Sequence, residues 1–134
     1  MAMNEEKVKE VVLKEANSIM DEIADFIFTK SQENIVKKGA IDEGTLLKSG
    51  YVHREFLRKE VGYSAPYAAY VEFGTEPHMP PVEALEKWAK RKLGEEGLGW
   101  AVAKKIAKEG TAPRSFLREA IEEAKAKYGG LYEA

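Results

Sequence analysis

One apolar stripe through the first 38 residues constrains the fold more than any other feature of the chain. Its side chains recur at spacings of three and four residues, which places them along one face of a helix. The stripe consists of Val8, Val11, Val12, Ile19, Ile23, Phe26 and Ile27, with Ala16 between them. Gly39 is suited to end such a helix, and Lys37 and Lys38 are favourable in its last turn. The pattern therefore predicts one helix over residues 4–38.

A helix of this length would measure about 50 Å, which is long for a chain of 134 residues. Either it breaks near Thr29-Lys30-Ser31, or part of its stripe packs on something outside its own subunit. Burial favours an aliphatic side chain by about 1.5–3 kcal/mol, so contiguous exposed apolar surface marks a partner site. We expect part of the helix to contact a neighbouring copy of the chain.

The helical period is lost between residues 46 and 64. Aromatic and β-branched residues alternate there with polar ones, as in a half-buried strand. Val52, Arg54 and Phe56 alternate with Tyr51, His53, Glu55 and Leu57, and Val61 and Tyr63 follow. This pattern predicts two antiparallel strands joined by a turn near Arg58-Lys59.

A short helix is predicted next, beginning at Ser64-Ala65-Pro66 and ending at Gly74. The three prolines between Thr75 and Pro81 predict a stiff extended loop. Three further helices follow, with Trp88 and Trp100 on apolar stripes and therefore in the core. The stripes are Val82, Leu85, Trp88, Ala89 and Leu93, then Trp100, Ala103, Ile106 and Ala107, then Phe116, Leu117, Ala120, Ile121 and Ala124. Gly94, Gly110 and Gly129-Gly130 are expected to end them, with Pro113 opening the last.

We therefore expect an α+β fold, with a long N-terminal helix packed on a small antiparallel β-sheet and additional C-terminal helices. Residues 1–134 form one domain in this prediction. Its parts are the N-terminal helix at 1–40, the strands and the aromatic Gly-Thr segment at 42–81, and the helices at 82–128.

The composition excludes several kinds of chemistry. The chain has no cysteine, so it has neither a disulfide scaffold nor a thiol nucleophile. Its formal net charge of −2 gives no electrostatic reason for strong binding to duplex DNA. Hydrophobic residues make up 44% and charged residues 33%, a balance typical of a globular protein. No stretch is long and apolar enough to predict a membrane span.

Catalytic and metal sites are not indicated by the pattern of titratable residues. Glu72, Glu76 and His78 could form a metal site in a small nuclease, but a polar loop explains them more simply. The pairs Glu95-Glu96 and Glu122-Glu123 resemble solvated helix faces more than acid–base pairs. We expect no enzyme activity, no catalytic or metal-binding residue and no cofactor.

Lysine-rich helices leave a second function class open. Lys87, Lys90, Arg91 and Lys92 surround Trp88, and Lys104, Lys105 and Lys108 follow on the next helix. Nucleic-acid binding would require these cations on one surface with aromatic side chains for stacking. The polar sides of two amphipathic helices explain the same residues and are the favoured interpretation. A small nucleic-acid-binding or regulatory helical protein remains the alternative function.

The most specific motif in the chain is YSAPYAAYVEFGT, which runs from Tyr63 to Thr75. It resembles the apYA-x-x-VEfGT signature of the gene-product-ten-like family of tailed phages. Three further motifs agree in order, so the resemblance spans residues 42–121. They are Asp42-x-Gly44-x-Leu46-x-x-Ser49, the proline-rich segment at 77–81, and GTAPRSFLREA at 110–120. Glu43 departs from the family pattern, which has Thr after the Asp.

The resemblance implies a structural virion protein of a tailed phage or prophage, in a ring at the head–tail junction as a neck or tail-completion component. Partners would be further copies in a ring, expected to be a hexamer, and other neck, portal or tail proteins. DNA would only pass through the channel, and no membrane is involved. The protein would reside in the host cytoplasm before assembly and in the virion afterwards. Motif or subunit-interface residues would be Tyr67, Tyr70, Glu72, Phe73, Gly74 and Thr75.

The aromatic segment itself permits two interpretations. Tyr67, Tyr70 and Phe73 could form a corner of the core, or they could lie at a subunit interface, where aromatic residues are enriched. In either case we expect Tyr67 and Tyr70 to be mostly buried, within the subunit or between subunits.

Overall fold

A computed structural model of the chain describes residues 4–39, 43–74, 82–94, 97–110 and 112–132. Within these ranges it contains six helices and one two-stranded antiparallel sheet, which confirms the predicted α+β class. In chain order the elements are α1 (Glu5–Lys38), α2 (Glu43–Lys48), β1 (Gly50–Glu55), β2 (Arg58–Tyr63), α3 (Ala68–Phe73), α4 (Val82–Leu93), α5 (Leu98–Glu109) and α6 (Phe116–Tyr132).

Helix α1 is continuous, so the break considered near Thr29-Lys30-Ser31 does not occur. The side chain of Asn4 caps its start by accepting the backbone N–H of Lys7 at 2.8 Å. Gly39 ends it as predicted, with φ 64° and its N–H donating to carbonyls of the last turn. The 34 residues of α1 span about 50 Å, so the helix is longer than the elements that pack on it.

The strands pair as an antiparallel hairpin, with Val52 opposite Val61 and Glu55 opposite Arg58. The turn lies at residues 56–57 and not near Arg58-Lys59, so the predicted register was wrong by about two residues. Leu57 adopts φ 61°, an uncommon conformation for a residue other than glycine. Its backbone N–H donates to Asn17 Oδ1 of α1 at 2.9 Å, a tertiary contact that local sequence does not reveal.

Two predicted boundaries around the hairpin need correction. Residues 43–48 form helix α2, with Leu46 fully buried, although the helical period was predicted to be lost from residue 46. Helix α3 begins at Ala68 and not at Ser64-Ala65-Pro66. Ser64 does not cap it, because its N–H and its hydroxyl both donate to the carbonyl of Ser49 and extend the hairpin. Gly74 ends α3 with φ 71°, as predicted.

The main core lies where α1, α2, the loop after β2, α3 and α6 meet. Its buried members are Ile35, Leu46, Ala65, Ala68 and Phe116. Asn34 Nδ2 donates to the carbonyl of Phe116 at 3.0 Å, and the Tyr63 hydroxyl bonds to Ser31 and Gln32. Burial raises the pKa of Tyr63 above its ordinary value, although these two hydrogen bonds act in the opposite direction.

Helix α6 runs antiparallel along α1 and continues to Tyr132, beyond the end predicted at Gly129-Gly130. Tyr128 interrupts it with non-helical backbone angles. The Tyr128 ring packs edge-on against Phe26, and its hydroxyl donates to Glu22 at 3.1 Å. These contacts hold the end of α6 on α1 and explain why the glycines do not release the chain there.

Helices α4 and α5 pack on each other around a second small core of Leu85, Ala103 and Ile106. Trp88 is half-buried, but Trp100 is 46% exposed, so placing Trp100 in the core was wrong. Gly99 explains the difference, because the α4 backbone at Glu86 approaches it too closely for a side chain. The buried face of α5 consists of Gly99, Ala103 and Ile106, and Trp100 lies outside it. The loop predicted at 75–81 lies outside the described residues.

Candidate functional site

Glu72 joins the aromatic motif to the C-terminal helix. It lies on α3, is only 6% exposed, and its carboxylate accepts the backbone N–H groups of Leu117 and Arg118 at 2.8 Å each. These are amides of the first turn of α6, where intrahelical acceptors are missing and a negative charge is favourable. Two more bonds run between the same segments, from the Ser115 hydroxyl to the carbonyl of Glu72 and from the Arg114 N–H to Val71.

The sequence placed Glu72 in the motif without assigning it this capping role. A helix that begins near Pro113 needs acceptors for its first amides, which is the available signal. Many carboxylates could provide them, however, and the partner that does so lies 45 residues away. The structure thus brings the motif at 63–75 into contact with the motif at 110–120, whereas the sequence showed only their order along the chain.

The aromatic part of the motif has one face in the core and another on the surface. Tyr67 is half-buried and packs against the main core, whereas Tyr70 is 49% and Phe73 69% exposed. Tyr70 is therefore not buried within the subunit, and only an interface between subunits could still bury it. Thr75 lies outside the described residues.

Glu72 was considered together with Glu76 and His78 as a metal site, but in the structure its two carboxylate oxygens accept backbone N–H groups. Glu76 and His78 lie outside the described residues. Across the described ranges, no three acidic, histidine or cysteine side chains are grouped as a metal site would require.

A projecting apolar surface lies at the N-terminal end of α1, which we call the valine patch: Val8, Val11 and Val12. These side chains are 43%, 44% and 59% exposed. The nearest part of the hairpin is its tip, where the exposed Phe56 lies beside Leu13. Farther along the predicted stripe, Ile19, Ile23, Phe26 and Ile27 are half-buried. The stripe is thus partly covered by its own subunit and uncovered at this end.

A concave apolar surface lies between α1, β2 and α6, which we call the apolar groove. One part is lined by Ile23, Ile27, Val61, Leu117 and Ile121, among others. An adjoining part also uses Leu117 and Ile121 and continues past Phe73 of α3, with Arg118 beside it. Both parts share two side chains of α6, so they adjoin each other along that helix.

Charged side chains fasten the hairpin to α1 beside this groove. Arg54 pairs with Asp21 at 2.9 Å and also with Asp25, and the largely buried Lys59 side chain pairs with Asp21 at 3.1 Å. The Arg54 guanidinium, and after it the Lys59 ammonium, hold the pKa of the Asp21 carboxyl below its ordinary value of 3.8. The two aspartates raise the pKa of Arg54, which stays charged.

The lysine-rich helices keep their cations at the surface. Those of α4 and α5 are exposed: Lys87, Lys90, Arg91, Lys92, Lys104, Lys105 and Lys108. Lys92 lies 3.8 Å from Glu43, and Lys104 lies over the Trp100 ring at 5.5 Å from its centroid. By helical spacing, Lys87, Lys90 and Arg91 share one face of α4, and Lys104, Lys105 and Lys108 share one face of α5. None of the helices in the described ranges combines the length and apolar character needed to cross a bilayer.

The N-terminal part of the chain matches a known family. A family model described as "Bacteriophage HK97-gp10, putative tail-component" matches residues 1–74, more than half of the chain. The matched part contains α1, α2, the hairpin and α3. The motif at 110–120 lies beyond it, so its likeness to the last helix of the family remains a sequence resemblance. Neither a curated protein nor a solved structure matches the chain significantly.

Proposed function

Because the chain belongs to the HK97-gp10-like family of bacteriophage tail components, we propose that it is a ring-forming structural protein of the head–tail junction in a tailed phage or prophage. In this proposal several copies, expected to be six, surround the channel that DNA crosses. The ring contacts other neck, portal or tail proteins and acts as a neck or tail-completion part of the virion. Its role is structural, without catalysis or a cofactor.

The observation that carries the ring proposal is the valine patch. Three neighbouring valines are about half exposed at the end of α1. Burial of apolar area is worth about 25 cal/mol per Å², so covering them favours association. Contiguous apolar surface of this kind marks a contact site on a protein that otherwise has a charged exterior.

The distribution of exposed apolar residues supports a ring over a symmetric pair. The valine patch lies at one end of α1, whereas Tyr70 and Phe73 lie exposed on α3, near the other half of that helix. A ring joins one face of each subunit to a different face of the next. Two separate apolar surfaces on one subunit meet that requirement.

A structural role also agrees with how the motif carboxylate is used. Glu72 is the acidic residue of the most specific motif, and both of its carboxylate oxygens bind backbone amides of α6. The motif thereby holds the C-terminal helix in place. A general base would instead present an oxygen toward a substrate, and a metal ligand would present one toward a metal ion.

Deleting the gene from the phage or prophage that encodes it tests the proposal. Electron microscopy of the lysate should show filled heads and separate tails. Complementation with the intact gene should restore joined particles, complementation with Val12→Asp should not, and the nearby exposed control Lys9→Gln should. Quantitative mass spectrometry should find several copies per virion. Joined, infectious particles that lack the protein, or a single copy per virion, would contradict the proposal.

A further inference from the structure

We infer that the apolar groove of one subunit receives the valine patch of the next copy. This inference rests on the proposed ring and specifies which two faces meet in it. The valine patch is convex and projects from a helix end, whereas the groove is concave and lined mainly by aliphatic side chains. Both surfaces are apolar, and a convex helix face can pack into a concave surface.

The valine patch of a subunit cannot occupy the groove of the same subunit. Val12 and the groove residues Ile23 and Ile27 belong to one uninterrupted helix. Eleven to fifteen residues separate them, which corresponds to about 20 Å along a rigid helix. A patch–groove contact must therefore join two copies. Since the two faces differ, the contact is heterologous and repeats from copy to copy.

Charge supports the same pairing. Glu5 and Glu15 lie on the helix face of Val8 and Val12, each at a spacing of three residues, and Lys7, Lys9 and Lys14 lie to the sides of this face. Glu5 and Glu6 make the first turn of α1 acidic. Arg118 lies at the rim of the groove, exposed, with its guanidinium donating to the Ser115 hydroxyl at 3.2 Å. Within the described part of the chain, Arg118 forms no ion pair with a carboxylate. The acidic first turn of α1, with Glu5 and Glu6, offers this cation a carboxylate partner.

Cysteine cross-linking tests the contact cleanly because the chain has no cysteine. Two variants, Val12→Cys and Ile121→Cys, are purified separately, checked for unchanged thermal unfolding, mixed and mildly oxidised. Val12→Cys mixed with Glu109→Cys is the matched control, because Glu109 is exposed on α5 away from the groove. We expect a covalent heterodimer with Ile121→Cys at a yield at least several-fold above this control.

A charge exchange provides the second measurement. Adding Arg118→Glu to the Ile121→Cys variant should lower the cross-linking yield. Adding Glu5→Arg and Glu15→Arg to its Val12→Cys partner should restore that yield. Restoration would not occur if Arg118→Glu had merely disturbed the fold of the groove.

Equal yields in the test and control mixtures would overturn the inference, whether the groove is empty or holds a different tail protein. If light scattering showed oligomers but the specific cross-link did not form, the ring proposal would be retained and the groove would be rejected as the site that binds the valine patch. A specific cross-link in a protein whose deletion still yields joined virions would support the contact and reject the junction role. The two proposals therefore fail in distinguishable ways.

Discussion

The carboxylate of Glu72 accepts the backbone N–H of Leu117 at 2.8 Å, across 45 residues of sequence. A second oxygen of the same group accepts the N–H of Arg118 at the same distance. A single side chain thereby satisfies two of the first amides of α6, which would otherwise lack partners in a partly buried position. Since α6 is the main helix packed along α1, this contact links the motif to the scaffold.

Replacing Glu72 should destabilise the fold markedly. Glu72→Ala leaves two helix amides without an acceptor and should reduce the free energy of unfolding by about 2–3 kcal/mol. Glu72→Gln keeps one acceptor oxygen and should cost about half as much. Urea denaturation followed by far-UV circular dichroism measures both, with the exposed Glu123→Ala on α6 as control. A cost for Glu72→Ala no larger than that of the control would show that the cap contributes nothing.

Gly74 should not tolerate a β-branched residue. Its φ of 71° with ψ of −179° is a conformation that essentially only glycine adopts without strain. Gly74→Val should therefore lower the free energy of unfolding by about 1–3 kcal/mol. Gly44→Ala is the control, because Gly44 lies in α2 with open space around it. Equal denaturation midpoints for the two variants would contradict this expectation.

Acid should selectively weaken the attachment of the hairpin to α1. The pKa of Asp21 is lowered in the folded protein by Arg54 and Lys59. A lowered carboxyl pKa contributes stability above the unfolded value of 3.8, and that contribution is lost as the pH falls through the folded pKa. The difference in unfolding free energy between the wild type and Asp21→Asn should thus shrink as the pH falls below 3.8 and toward the lower pKa of the folded state. A difference that stays constant from about pH 6 downward would be inconsistent with this linkage. The control Glu55→Gln changes an exposed carboxylate, and its unfolding free energy should stay close to that of the wild type at every pH.

Gly99 should be required for the close packing of α4 on α5. A Cβ at this position would lie 2.4 Å from the backbone nitrogen of Glu86, so Gly99→Ala must push the helices apart. Overpacking of this kind costs about 1–3 kcal/mol. Both tryptophans of the chain lie on these two helices, so their fluorescence reports unfolding there. The control Gly129→Ala adds a methyl group in open space on α6 and should leave the unfolding midpoint unchanged. If Gly129→Ala shifted the midpoint as much as Gly99→Ala does, the packing explanation would be wrong.

Tyr70 should matter more for assembly than for folding. It is 49% exposed, so Tyr70→Ala should cost the isolated subunit well under the about 3 kcal/mol expected for a buried aromatic residue. Under the ring proposal, self-association measured by light scattering should nevertheless weaken. Trp100→Ala removes a similarly exposed aromatic side chain from α5 and should leave self-association unchanged. If the two variants affected self-association equally, Tyr70 would not be an interface residue.

The sequence by itself determined the elements whose signals are local and repeated. The stripe from Val8 to Ile27 needs only helical spacing, and Gly39 and Gly74 end their helices because glycine accepts positive φ without cost. The alternation around Val52 likewise predicted a hairpin. The motif from Tyr63 to Thr75 indicated the phage family, which the match to residues 1–74 confirmed.

Tertiary structure alone decided the features that depend on partners distant in the chain. The turn lies at Leu57 because Asn17 of α1 binds its N–H, and Trp100 is exposed because Gly99 lets α4 approach. Glu72 can cap α6 only because the tertiary fold places α3 beside the start of α6. Periodicity reports which face of an element is apolar, but not what covers that face. The contrast between the exposed Val12 and the half-buried Ile23, on one stripe of one helix, shows this limit.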